Sequence, residues 1–429
     1  NEGDTAIENL SVVLDILDEN GGDAMDLFGI GAPELTGIAD VSGSGALSPA
    51  SNGSAVWLII PTSEAAPDGM RRYYVGGTLS YTLNGVQVNV PLYPEPISVL
   101  PDPRLNVHYF LERDVYSDDP FTPEIEPSVP FSLAMMMVNN GLGTARSVRI
   151  ASAQPEIVDN DKGLLIAFQI IGTQVGLDAV TPSLNVGLGD IGPGDSAVAQ
   201  WLMTSSLMGR FIEYNATFQH IDPIGDPRLS LVDSVAIHPM VHVAREDMPL
   251  DDGLPDFLTD DISDENQLPE SLFSSSLGAP VPVSCVMDAV VSPVKSKDGE
   301  TVEFQIDATM PAGWCYLRID NPALSGFALS RVTRSDDTEV LTGINAWTTY
   351  RIVRNEGQDP MVQHRFHLLD YTSDGHYTVT FTGVADNALP IADAGVNAAG
   401  TVGVEVTLDG SSSFDPESEP LLYSWAFLS

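Results

Sequence analysis

His238 and His242 stand four residues apart, the spacing that sets two zinc ligands on one face of a helix. Their surroundings, Ser234-Val-Ala-Ile-His-Pro-Met-Val-His-Val243, read as a strand instead, Pro239 opposes a helix, and no third ligand lies nearby in the chain. The pair is therefore expected to be structural, and His364 and His367 carry less signal still. Gly187-Leu-Gly-Asp-Ile-Gly192 matches G-x-G-x-x-G, but that motif cradles phosphate only where it ends a buried strand and opens a helix. Here Pro193-Gly194 and an alternating run follow, so a hairpin loop is expected. Asp18-Glu-Asn-Gly-Gly-Asp23 has part of a calcium loop, with Gly and Asp transposed at its fifth and sixth positions and no closing Glu, and reads as a turn. The signatures of nucleophile-elbow hydrolases, zincins and thiol redox enzymes do not occur, and 60 acidic residues are too many for any acid–base pair to stand out. No catalytic residue is assigned, and the chain is expected not to be an enzyme.

Charge narrows the partners. With 18 Lys and Arg against 60 Asp and Glu the formal net charge is −42, so nucleic acid and anionic lipid would be repelled. Such a surface keeps a protein soluble and draws divalent cations, and the sequence leaves both uses open. Only two cysteines occur, Cys285 and Cys315, which excludes small disulfide-stapled modules. They lie at the ends of two apolar strand-like runs, and either close one disulfide or stand as two buried thiols. No apolar run approaches the ~18 residues needed to span a bilayer; the longest, Gly163 to Gly172, is interrupted by Gln169. The chain starts at Asn1 without a leader pattern, so an N-terminal segment is expected to have been removed or not to be included, which is consistent with export to a secreted or cell-surface location. Sequons at Asn9, Asn52 and Asn215 are no more than chance supplies.

Short runs rich in Val, Ile, Thr and aromatics, separated by Gly, Pro, Asn and Asp, must carry any such site, and they predict an all-β chain of tandem immunoglobulin-like or fibronectin-like β-sandwiches. Gly77-Thr-Leu-Ser-Tyr-Thr-Leu83, the turn Asn84-Gly85 and Val86-Gln-Val-Asn-Val90 form a hairpin signal, since Asn-Gly supplies the positive φ of a tight turn. The first sandwich is expected over 1–103, closed by Pro101-Asp-Pro103, and the second over 104–245. An acidic linker or wrapping loop follows over 246–276, then a third sandwich over 277–385 holding both cysteines, and a last segment over 386–429.

Two segments resemble known families. Asn139-Asn-Gly-Leu-Gly-Thr-Ala-Arg-Ser-Val148 and Ile191-Gly-Pro-Gly-Asp-Ser196, which leads into an alternating strand, resemble the cell-adhesion-related bacterial domains of the immunoglobulin-like class. Pro390-Ile-Ala-Asp-Ala-Gly395, Val404-Glu-Val-Thr-Leu-Asp-Gly-Ser-Ser-Ser-Phe-Asp-Pro416 and Leu422-Tyr-Ser-Trp425 resemble the opening half of a PKD domain, a β-sandwich of surface proteins. That resemblance implies a partial PKD-type sandwich whose missing strands come from further chain or from a neighbour, hence self-association by strand exchange. It also places Asp415, Glu417 and Glu419 on the loop where some PKD domains hold a cation, which makes calcium the candidate cofactor, with a solvated acidic loop as the simpler reading; Asp114, Asp118 and Asp119 form a second acidic cluster. The expected function is an extracellular structural or adhesive multi-domain protein that binds other protein chains, with no nucleic acid and no membrane span. The alternative is a set of accessory binding modules for a secreted hydrolase whose catalytic domain lies outside this chain.

Overall fold

The computed structural model describes residues 1–118, 128–150, 167–210, 224, 226–246, 251–262, 268–294, 301–323, 326–353 and 361–383. Strands dominate, and the helical elements among these residues are single 3₁₀ turns such as Met25–Leu27, so the chain is all-β as expected. Among the described residues no helix is long and apolar enough to cross a membrane. The chain divides into two compact units, Asn1–Val283 and Ser284–Ser429.

In the first unit, Ser42–Leu47, Ile7–Asp18, Arg71–Leu83 and Val86–Val99 form an antiparallel sheet in that order. Asn84 and Gly85 both have positive φ, as the tight turn requires. One end of the sheet buries Ile16, Tyr73 and Val99 against Phe28, Ala65 and Ala66. The Tyr73 ring meets Phe28 edge-on, and its hydroxyl donates to the Ala65 carbonyl at 2.5 Å.

The larger sheet of this unit runs Asp178–Val180, Phe168–Val175, Ser196–Ser205, Phe131–Asn139, Leu105–Glu112, Val232–Ala244, Asp256–Thr259, Ser271–Ser274 and Ala279–Val286. Its neighbours pair antiparallel except Leu105–Glu112 with Val232–Ala244, which are parallel. Phe131–Asn139 is buried on both faces, which explains its apolar run from Leu133 to Val138. Phe131, Leu133, Met135 and Met137 join a core with Tyr109, Trp201 and Ile191, while Ala134, Met136 and Val138 join another with Phe110, Phe257 and Phe273. The antiparallel pair Ala145–Ile150 and Val186–Ile191 contributes Ala145, Ile150, Val186 and Ile191 to the first of these cores.

The segment 246–276, expected as an acidic linker or wrapping loop, carries instead the buried strands Asp256–Thr259 and Ser271–Ser274. Phe110 stacks on Phe257 with centroids 4.2 Å apart, and a Cβ on Gly278 would come within 2.6 Å of Val138. These strands are a working part of the second core, and their acidic residue, Asp256, is buried and held in hydrogen bonds. The expected boundary near 103 falls inside this unit: Arg228 Nη1 donates to the Asp26 carbonyl at 3.1 Å, and Gly29 lies against Leu229.

The second unit is a two-layer sandwich. Val290–Val294, Thr301–Asp307, His376–Gly383, Phe327–Arg334 and Glu339–Val340 form one sheet in that order, and Trp314–Asp320, Met361–Tyr371 and Ala346–Val353 are successive neighbours in the other. Ile306, Val332, Val379 and Phe381 face Leu317, Ile319, Phe366 and Leu368 in a single core.

Candidate functional site

The strongest convergence of polar groups in the first unit lies where Pro101–Arg104 meets the two turn phrases. Asn139 is fully buried at the end of its strand. Its Oδ1 accepts from the backbone N–H of Arg104 at 3.1 Å and of Gly141 at 3.0 Å. Its Nδ2 donates to the carbonyls of Gly143 at 2.8 Å and Ile191 at 3.0 Å. Backbone bonds from Asn139 N to Asp195 O and from Gly194 N to Asn139 O complete the join. The phrases around Asn139 and Ile191, separate in sequence, are thus one junction organised by one side chain. Gly141 and Gly143 are required there, because a Cβ on either would collide with the backbone of residues 101–104.

Beside this junction a pocket of about 220 Å³ is lined by Ser63, Ala66, Pro67, Asp102, Arg104, Asn140, Gly141 and Leu142. Burial pushes the Asp102 carboxyl above the usual carboxylate range, and the Arg104 charge pulls it only partly back. No protein-family model matches the chain, and comparison with curated proteins finds no match. The site is accordingly read from its own chemistry.

Asp415, Glu417 and Glu419, the calcium candidates, lie outside the described residues, as do the PKD-like segment, Asp119 and the sequon at Asn215. Among the described residues no three His, Cys, Asp or Glu side chains gather closely enough to hold a metal ion. Cys285 and Cys315 are not joined in a disulfide. Burial, with Asp370 nearby, pushes the Cys315 thiol up to about 11, so the thiolate that disulfide formation needs is scarce. The G-x-G-x-x-G match falls in the strand Val186–Ile191 and the turn after it, as a hairpin element would. Gly21 in the turn after Asp18 has positive φ, and Asp18 Oδ1 accepts from Asn20 N and Gly22 N at 2.8 Å each, closing that turn without a cation.

His238 and His242 share the strand Val232–Ala244, and a register shift between Met240 and His242 interrupts their alternation. His238 turns out to pair with a residue that spacing could not reveal. Its Nδ1 lies 3.0 Å from Asp261 Oδ1 and its Nε2 3.1 Å from His108 Nδ1. With Asp261 accepting from Nδ1, a neutral His238 presents Nε2 as acceptor to a His108 that donates from Nδ1. Phe273 packs on His238 at 4.3 Å, and burial holds the His108 imidazole down at about 4.

A second buried network surrounds Asp256, whose carboxylate accepts from the backbone N–H of Glu246 and of Ser275 and from the Ser275 hydroxyl. Burial outweighs these bonds and lifts its carboxyl to about 7. In the second unit His367 is sandwiched between Tyr316, at 2.7 Å from Nδ1, and Thr349, at 2.8 Å from Nε2, with Trp347 stacked flat on its ring. Nearby, Arg334 and Tyr377 both donate to the buried Asp370 carboxylate. The pairs are separated by 7 to 130 residues in sequence, and each is made across strands or between a strand and a loop.

Proposed function

We propose that this chain is an extracellular structural or adhesive β protein, acting at a cell surface or in an extracellular fibre by binding other protein chains. The observation that carries this reading is where the reactive side chains go. Asn139, Asp256, His367 and the Arg334–Asp370–Tyr377 group are buried and bonded between strands, an arrangement that resists deformation and leaves those groups committed to the fold. Sheet edges are also guarded. The edge strand Val86–Val99 carries Pro91, Pro94 and Pro96, and the exposed edge Val290–Val294 carries Pro293, each removing a donor that an intruding strand would need. The acidic composition supports a solvated exterior.

Self-association by strand exchange is proposed for the PKD-like segment 386–429, with calcium on Asp415, Glu417 and Glu419. Immunogold labelling of intact source cells with antibody to this chain tests the reading. Label on the cell exterior or on extracellular fibres is expected, and label confined to the cytosol overturns it.

A further inference from the structure

The pocket at the 101–104 junction carries an inference that goes beyond scaffolding. Its volume of about 220 Å³ has room for several waters, and it is partly open to solvent. It is smaller than the several hundred Å³ typical of sites for drug-sized ligands. It suits a metabolite of few heavy atoms.

Its lining holds one carboxylate and one guanidinium, Asp102 and Arg104. They feel each other's charge but are not in ion-pair contact, and among the described residues neither side chain has a hydrogen-bond partner. Their backbones, by contrast, are fixed. Arg104 N donates to Asn139 Oδ1, Asn140 N donates to Arg104 O and Gly143 N donates to Asp102 O, while Pro101 and Pro103 lock the intervening φ angles. Two opposite charges are thus set on a fixed main chain without a side-chain partner, Asp102 half-buried and Arg104 exposed, where a ligand carrying both complementary charges can meet them. Ser63 and Asn140 add polar groups to the lining, and Ala66, Pro67 and Leu142 add apolar surface.

We propose that this pocket binds a small zwitterion of the free α-amino acid class, its ammonium on Asp102 and its carboxylate on Arg104. A simple amine would leave Arg104 unmatched. A simple carboxylate would leave Asp102 unmatched and would approach a chain of net charge −42. A peptide end offers one charge only.

The test uses the full chain, with glycine, alanine, ethylamine and propionate as probes in saturation-transfer NMR and calorimetry. Saturable binding of glycine or alanine is expected, with ethylamine and propionate at least about tenfold weaker. Asp102→Asn and Arg104→Gln are each expected to weaken amino-acid binding about tenfold or more, with unchanged thermal melting because neither side chain supports the fold. Should a variant melt early, the comparison of zwitterion with single-charge probes on the unaltered chain decides by itself. Absence of saturable binding up to about 10 mM, equal affinity for ethylamine, or unchanged binding by both folded variants overturns the proposal.

Discussion

Replacing Asn139 by Ala removes a side chain that satisfies two backbone N–H groups and two carbonyls inside the junction. Asn139 is fully buried, so water cannot take over these bonds without opening the turn. A hydrogen bond nets about 0.5–1.5 kcal/mol, and each buried group left unsatisfied costs about 1–3 kcal/mol. Because the four bonds share one side chain they do not add fully, and the expected loss is about 3–5 kcal/mol. Asn139→Asp should do comparable harm: it keeps the acceptor but sets a carboxylate against the carbonyls of Gly143 and Ile191. Urea unfolding followed by tryptophan fluorescence reads the effect, since Trp201 is buried in the core beside this junction and Trp314 and Trp347 report the other unit. The Trp201 transition is expected to move to lower urea with its slope unchanged, while the Trp314 and Trp347 signal stays in place. A loss below about 1 kcal/mol would refute the argument that this side chain ties the two turn phrases together.

Glycines of similar appearance should differ sharply. Gly141→Ala drives a Cβ into the backbone of Asp102 and Arg104 and is expected to cost more than about 2 kcal/mol, whereas Gly187→Ala meets open space and should be neutral or slightly stabilising in the same urea assay. Two buried groups should oppose each other in acid. Asp256 titrates at about 7 in the fold against 3.8 as its ordinary value, so the folded chain holds the extra proton between these values and loses stability as pH rises through them. His108 titrates at about 4 against 6.5, so the unfolded chain holds the extra proton and stability is lost as pH falls. Each contributes at most about 1.4 kcal/mol per pH unit within its window. Asp256→Asn should therefore steepen the loss of stability on acidification from pH 6.5 to 4, and His108→Gln should flatten it. Urea midpoints across that range check both, and wild-type slopes in both variants would remove the assignment.

Local pattern made much of the fold legible. Alternation marked the strands and Asn84-Gly85 marked its hairpin, because each of these signals depends on neighbours in sequence. The segment 246–276 was misread for the same reason. Its density of Asp and Glu looks like solvated linker, yet Phe257, Leu258, Leu272 and Phe273 are buried and Asp256 is bonded among them. Charge density averaged over thirty residues hid two short strands whose apolar residues come in adjacent pairs rather than in alternation.

The polar groups show where sequence reading stops in physical terms. His238 was noticed for its distance to His242, but its partners are His108 and Asp261, and parallel pairing of strands far apart in the chain is what brings His108 alongside. The same holds for the junction: Pro101-Asp-Pro103 is recognisable as a stop and Asn139-Asn-Gly as a turn, but neither phrase says that the second will lock the backbone of the first. Once it does, the main chain carrying Asp102 and Arg104 is fixed, and the two side chains make no ion pair with each other. The turn thus places an unpaired carboxylate and guanidinium beside the pocket, and that placement depends on Asn139. Asn139→Ala should therefore lower amino-acid affinity even where the chain remains folded; unchanged affinity in calorimetry would separate the pocket from the frame that is argued to create it.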